Sequence, residues 1–141
     1  MTTTPSGPGA TTAPRPALAG AFLQGLADQD FDALIGTLAA DARLRALVPK
    51  GLREWTGGEE IAGQFARWFG DTRGFELVEA TLGEVGGRLQ LRWRLRLRAE
   101  RLGAGWFTVE QQAYADAGED GRIDRLDLVC SGYRPEGGGN G

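Results

Sequence analysis

The spacing of apolar side chains divides this chain into two halves. In the first half they recur at helical intervals. Leu18, Phe22 and Leu26 form one stripe, which predicts a helix. A second stripe, Phe31, Leu34, Ile35 and Leu38, follows Asp30, whose carboxylate can cap the helix it opens. Ala42–Val48 is expected to be short and extended, closed by Pro49-Lys50-Gly51. Thr56-Gly57-Gly58-Glu59 has the spacing of a capping box, with the threonine oxygen on the third backbone N–H and Glu59 reaching back. It predicts a third helix with Ile61, Phe65, Trp68 and Phe69 on one face, closed by Gly70 and Gly74.

The second half changes to a period of two. From Arg88, the residues Leu89, Leu91, Trp93, Leu95 and Leu97 point one way, and the intervening arginines and Gln90 point the other. Gly86-Gly87, Gly103-Ala104-Gly105 and Asp120-Gly121 supply turns. The pattern predicts a meander of strands over Phe75–Val85, Arg88–Leu102, Trp106–Ala117 and Arg122–Ser131. Turn lengths then set the register. Leu82 faces Leu91, Ala80 faces Trp93, and Val78 faces Leu95. Leu95 in turn faces Ala113, Ala113 faces Leu126, and Val109 faces Cys130. One face is apolar except for Gln111 and end positions such as Glu76. The other is expected to pair Arg94 with Glu79 and Tyr114, Arg98 with Glu110, and Arg92 with Asp116.

The implied fold is α+β: a curved antiparallel meander sheet wrapped by three N-terminal helices. With 141 residues the chain suits one domain, expected over 17–134. Residues 1–16, rich in Thr, Pro, Gly and Ala, are expected to be a disordered tail, and 135–141 a flexible one. Composition removes several function classes. There is no histidine, so no imidazole base, Ser-His-Asp triad or histidine-ligated metal. A single cysteine, Cys130, forms neither an internal disulfide nor a thiolate metal site. The net charge of −3 argues against nucleic acid or an anionic membrane as partner. No apolar run is long enough to span a bilayer, and residues 1–16 do not read as a secretory signal, so a cytoplasmic protein is expected. The glycine-rich stretches lack the context of a phosphate loop.

Local wording adds a resemblance. Phe22–Leu34, with its helix, Asp28-Gln29-Asp30 and helix, is similar to the opening of the nuclear transport factor 2-like superfamily. Ala40-Asp41-Ala42 resembles that family's step into its first strand. Trp55-Thr56-Gly57-Gly58-Glu59-Glu60-Ile61 resembles its approach to the third helix, and Asp120-Gly121-Arg122-Ile123 its last hairpin. The SnoaL-like polyketide cyclases and ketosteroid isomerases belong to this superfamily. The resemblance implies a cone-shaped, cystatin-like fold, a hydrophobic pocket inside the cone, and a homodimer through the convex sheet face. Residue by residue it departs from the enzymes. Phe22 stands about where ketosteroid isomerases carry a tyrosine, and Ala46 near their general-base aspartate. Arg98-Ala99-Glu100 echoes the Arg-x-Asp pair of limonene-epoxide-hydrolase-like members, but the alternation turns Arg98 outward.

Candidate site residues follow from the inward face and the expected pocket mouth. Phe22, Trp55, Phe65, Trp68, Phe69 and Trp93 can line a pocket for a flat apolar ligand, or simply build core. Cys130 is expected inward beside Val109, core filler or part of the ligand lining, and a poor nucleophile without a basic neighbour. Gln111 is a carboxamide on an apolar face; it needs a partner, either a structural one such as a tryptophan N–H or a ligand. Glu54 and Asp41 are the carboxylates considered for proton transfer, with Gln111 as donor to a developing oxyanion. Two readings stay open. One is a small-molecule pocket, free of cofactor and metal, that catalyses isomerisation, dehydration, cyclisation or epoxide opening. The other is a non-catalytic ligand-binding or dimerisation module.

Overall fold

The structure, a computed structural model, describes residues 15–136. Of the tails expected over 1–16 and 135–141, residues 1–14 and 137–141 lie outside the described residues. Three helices come first: α1 (Arg15–Ala27), α2 (Phe31–Thr37) and α3 (Gly58–Phe69). The strands are β1 (Leu38–Val48), β2 (Gly51–Thr56), β3 (Gly74–Val85), β4 (Arg88–Arg98), β5 (Phe107–Ala117), β6 (Ile123–Cys130) and β7 (Arg134–Pro135). Secondary structure thus reaches slightly beyond 17–134 at both ends.

Leu18, Phe22 and Leu26 are buried, as the α1 stripe requires. Asp30 caps α2, its carboxylate accepting from the Ala33 N–H at 3.1 Å. The capping box expected at Thr56 does not form. Thr56 continues β2 opposite Arg43, and the Gly57 N–H donates to the Ala42 carbonyl at 2.7 Å. The cap is Gly57, at φ +102°, with no side-chain hydrogen bond. Tertiary pairing with β1 overrides the local cap signal. It also makes Gly51–Thr56 a strand, which local sequence did not predict. At the other end of this hairpin, Leu38 leaves the α2 stripe to open β1.

The sheet has the order β2-β1-β6-β5-β4-β3, with β7 on β5; β1 runs parallel to β6 and the remaining pairs are antiparallel. The meander stands, and so does the inside-outside partition of β4; on β3 the expected inward positions Glu76 and Val78 turn outward. Leu89, Leu91, Trp93, Leu95 and Leu97 are buried, while Arg92, Arg94 and Arg98 are exposed. The detailed register differs at three places. Val78 is bulged out of β3, so Leu77 and not Val78 lies opposite Leu95. Leu95 lies opposite Val109 rather than Ala113, because β4 ends at Arg98 and not Leu102. Residues 100–102 coil into a 3-10 turn instead, and Arg101 donates to the carbonyls of Arg67, Trp68 and Gly70 at the C-terminus of α3. Closing that helix end outweighs extending the hairpin. Finally, Ala113 lies opposite Leu128 rather than Leu126, through an irregularity at Asp116–Ala117. The last two displacements are even, so each inward side chain stays inward.

Cross-strand ion pairs follow the real register. Arg94 meets Glu79 (3.4 Å) as expected and also Glu110 (2.9 Å). Arg88 takes Asp116 and Asp127, and Arg96 takes Glu76 and Glu136. The expected pairs Arg98–Glu110 and Arg92–Asp116 do not form; Arg98 lies over the Trp106 ring instead. Among the described residues no helix is long and apolar enough to cross a membrane.

Candidate functional site

Helices α1 and α3 close one end of the cone with interlocked rings. Phe22 meets Phe65 edge-to-face at 5.6 Å and Trp93 at 5.9 Å, and all three are buried. Between β4 and β5, Trp93 sits directly opposite Gln111. Its indole N–H donates to Gln111 Oε1 at 3.0 Å. This answers the polar intruder: the carboxamide oxygen satisfies a buried indole that would otherwise lack an acceptor. Gln111 Nε2 is buried with no hydrogen-bond partner, and the residue as a whole is 2% exposed.

The ring chain continues outward and opens. Phe65 meets Trp68 at 5.2 Å, and Trp68 meets Trp55 at 5.7 Å, both edge-to-face. Here the helical cover ends, and a cavity of about 450 Å³ remains at the mouth of the cone. Trp68 and Phe69 come from α3, Trp55 and Arg53 from β2, Val109 and Cys130 from the sheet, and Lys50 and Tyr133 from connecting segments. Its size is within the range of small-molecule sites, roughly 300–1,000 Å³.

Each wall has a local cause. Trp55 and Arg53 are two apart on β2, so both project toward the concave side, opposite the buried Leu44 and Ala46. The chain then turns at Gly132, where φ is +80° and an added Cβ would approach Pro49 Cγ to 2.6 Å. This turn presents Tyr133, whose hydroxyl donates to the Trp68 carbonyl at 2.6 Å. Burial pushes the Tyr133 phenol pKa up, with Arg101 acting in the opposite direction. Cys130 Sγ accepts from the Gly132 N–H at 3.3 Å.

Four of the anticipated ligand-lining residues therefore meet here: Trp55, Trp68, Phe69 and Cys130. Phe22, Phe65, Trp93 and Gln111 lie behind them in the packed end. The two anticipated carboxylates are elsewhere. Glu54 neighbours Trp55 and so points to the opposite side of β2, where it faces Arg45 at 3.6 Å. Asp41 is exposed on β1, next to the inward Ala42. No carboxylate is among the residues lining the cavity. Arg53, Lys50 and Tyr133 were not singled out from sequence. Arg53 was legible in principle, two residues before Trp55, once Gly51–Thr56 is known to be a strand.

A larger concavity, about 810 Å³, lies on the outer face of the sheet, with Arg45, Arg92, Arg94, Glu79, Glu110 and Asp127 among its lining residues. Leu47 stands there between Leu52 and Val129, and the three are 50%, 52% and 56% exposed.

No protein-family model matches the chain, and no curated protein does. Solved structures do. One is an LEH-like epoxide hydrolase from M. tuberculosis, at 21% identity and TM-score 0.64, covering 86% of this chain and 85% of that one. Another is a hypothetical protein of ketosteroid isomerase-like fold from Catenulispora acidiphila, in complex with trimethylamine, at 19% identity and TM-score 0.66, covering 82% and 86%. A third, from Shewanella putrefaciens, is described as a SnoaL-like polyketide cyclase, at 14% identity and TM-score 0.65, covering 83% and 89%. At these identities the likeness concerns the fold: the chain has the nuclear transport factor 2-like, cystatin-like architecture.

Proposed function

We propose that the protein binds a small apolar or aromatic molecule at the mouth of its cone, without a cofactor, as a binding module and not a proton-transfer catalyst. The observation that carries this reading is the lining of the mouth cavity: Trp55, Trp68, Phe69 and Tyr133 offer ring surface, and no carboxylate joins them. General acid–base work needs a proton carrier within hydrogen-bond reach of the ligand. Glu54 and Asp41 occupy exposed positions away from the cavity lining. The alternative is catalysis of the isomerase, cyclase or epoxide-opening kind suggested by the names of the structural neighbours. It would need a ligand that reaches past the mouth to the unpartnered Gln111 Nε2.

Intrinsic tryptophan fluorescence tests the reading, because Trp55 and Trp68 are in the wall. Titration with polyketide-like and steroid-like compounds is expected to give saturable quenching that Trp68→Ala abolishes. A flat response across the panel, with no shift of cavity resonances in NMR spectra, sinks the proposal. A second observation supports self-association. The exposed Leu52-Leu47-Val129 row lies across the outer sheet face, where a homodimer would bury it. Val129→Glu is then expected to convert a dimer to a monomer in sedimentation analysis. A wild-type protein that sediments as a monomer at high concentration removes this part.

A further inference from the structure

On the outer face Arg45, Arg88, Arg94 and Arg96 each have a carboxylate within ion-pair distance, while Arg43, Arg92 and Arg98 have no ion pair among the described residues. Two further cations border the cavity. Arg53 projects from the concave side of β2, two residues before Trp55, and Lys50 stands in the turn that leads into β2. Among the described residues neither has an ion pair or a side-chain hydrogen bond. Both are exposed, and no carboxylate lines the cavity beside them, so an anion reaching the mouth meets two cations with no competing acid.

The rest of the lining narrows what could arrive. The body of the cavity is ring surface and aliphatic carbon, with the edge-to-face pair Trp55–Trp68 at 5.7 Å as one wall. The positive groups are gathered at the mouth. A guanidinium presents a planar fork that matches a carboxylate through two parallel hydrogen bonds, and an ammonium adds a compact charge beside it. We infer that the ligand is an apolar, aromatic-bodied carboxylate, with its rings against Trp55 and Trp68 and its carboxylate held at the mouth by Arg53 and Lys50. The inference rests on the binding reading above and adds the charge of the ligand.

A matched trio of probes separates the two. Naphthalene-2-carboxylate, naphthalene-2-carboxamide and 2-naphthylmethylamine share one ring system and carry negative, zero and positive charge. Binding to the wild-type full chain is measured by calorimetry and by tryptophan quenching. The carboxylate is expected to bind about tenfold more tightly than the amide, with the amine weakest. Raising ionic strength should shrink that margin. The double variant Arg53→Gln, Lys50→Gln should erase it while leaving amide binding in place. Both positions are exposed, so the variant is expected to fold. Equal affinities for all three probes, or a preference for the amide or amine, overturn the inference and leave the cavity reading standing. Binding of none of the three overturns both. A charge preference that survives in the double variant also overturns the assignment to Arg53 and Lys50.

Discussion

The two ends of the cone are made from the same sheet face and similar side chains, yet they behave differently. At the closed end Phe22, Phe65 and Trp93 interlock, and even the polar Gln111 is engaged by an indole N–H. At the open end Trp55 and Trp68 are half-buried and face a cavity. Helical cover makes the difference. Helix α1 packs on β3 and β4, whereas β2 and the segment after β6 meet α3 near its C-terminal end, at Trp68. Rings between α1 and the sheet become core, and rings at the end of α3 become a wall. Residue type alone does not say which.

This contrast can be broken in graded steps. The largest effect is expected at the closed end: Phe65→Ala should cost about 3–5 kcal/mol of stability, read from urea unfolding. A loss near 1 kcal/mol would mean that this end is loosely packed. Next comes Gln111→Ala, which leaves the Trp93 N–H without an acceptor and should cost about 1–3 kcal/mol. Gln111→Leu should cost a similar amount, because leucine also supplies no acceptor; a neutral result would deny the Trp93 bond its role. Trp68→Ala, at the open end, should cost about 1–2 kcal/mol, since part of its surface is already wet, while removing ligand quenching. Equal losses from Phe65→Ala and Trp68→Ala would dissolve the distinction between the ends.

A smaller and sharper prediction concerns Tyr133. Its folded pKa lies above the unfolded value, so the folded chain holds the phenolic proton longer. Its contribution is therefore complete below the ordinary tyrosine range near 10 and is lost as pH rises through the folded pKa. Ultraviolet titration of the phenols should show Tyr133 ionising after a tyrosine in a model peptide. Tyr133→Phe should remove that late phase and cost about 0.5–1.5 kcal/mol, the worth of the bond to the Trp68 carbonyl.

Much of this architecture could be read from the chain. The leucine and arginine alternation of β4 is strict enough that its inward face holds through both inter-strand slides, because each is even and an even slide preserves parity. The bulge in β3 is odd, and it turns Glu76 and Val78 outward. The departures come from non-local events. Arg101 falls within the strand expected over Arg88–Leu102 but serves the last carbonyls of α3, a partner far away in sequence. Thr56 carries a sound local cap signal, but β1 claims it as a strand residue. The site was legible only in part for the same reason. Trp55, Trp68, Phe69 and Cys130 could be named from pattern, because each belongs to an apolar face or adjoins one. Local pattern does not sort Arg53 from Glu54, since only the alternation of β2 sends one to the cavity and the other away.

One last consequence follows from the bulge at Val78. Among the described residues the six-strand path of the sheet ends at two edge strands, β2 and β3. Bare strand margins invite another chain to add itself and start a fibre. On β3 an incoming strand would meet a kink at Val78 and the negative side chains of Glu76, Glu79 and Glu84 along its length. On β2 it would find a short segment bearing Arg53 and Glu54. The same irregularity that shifts one pair of residues thus helps to keep the molecule from templating its own aggregation.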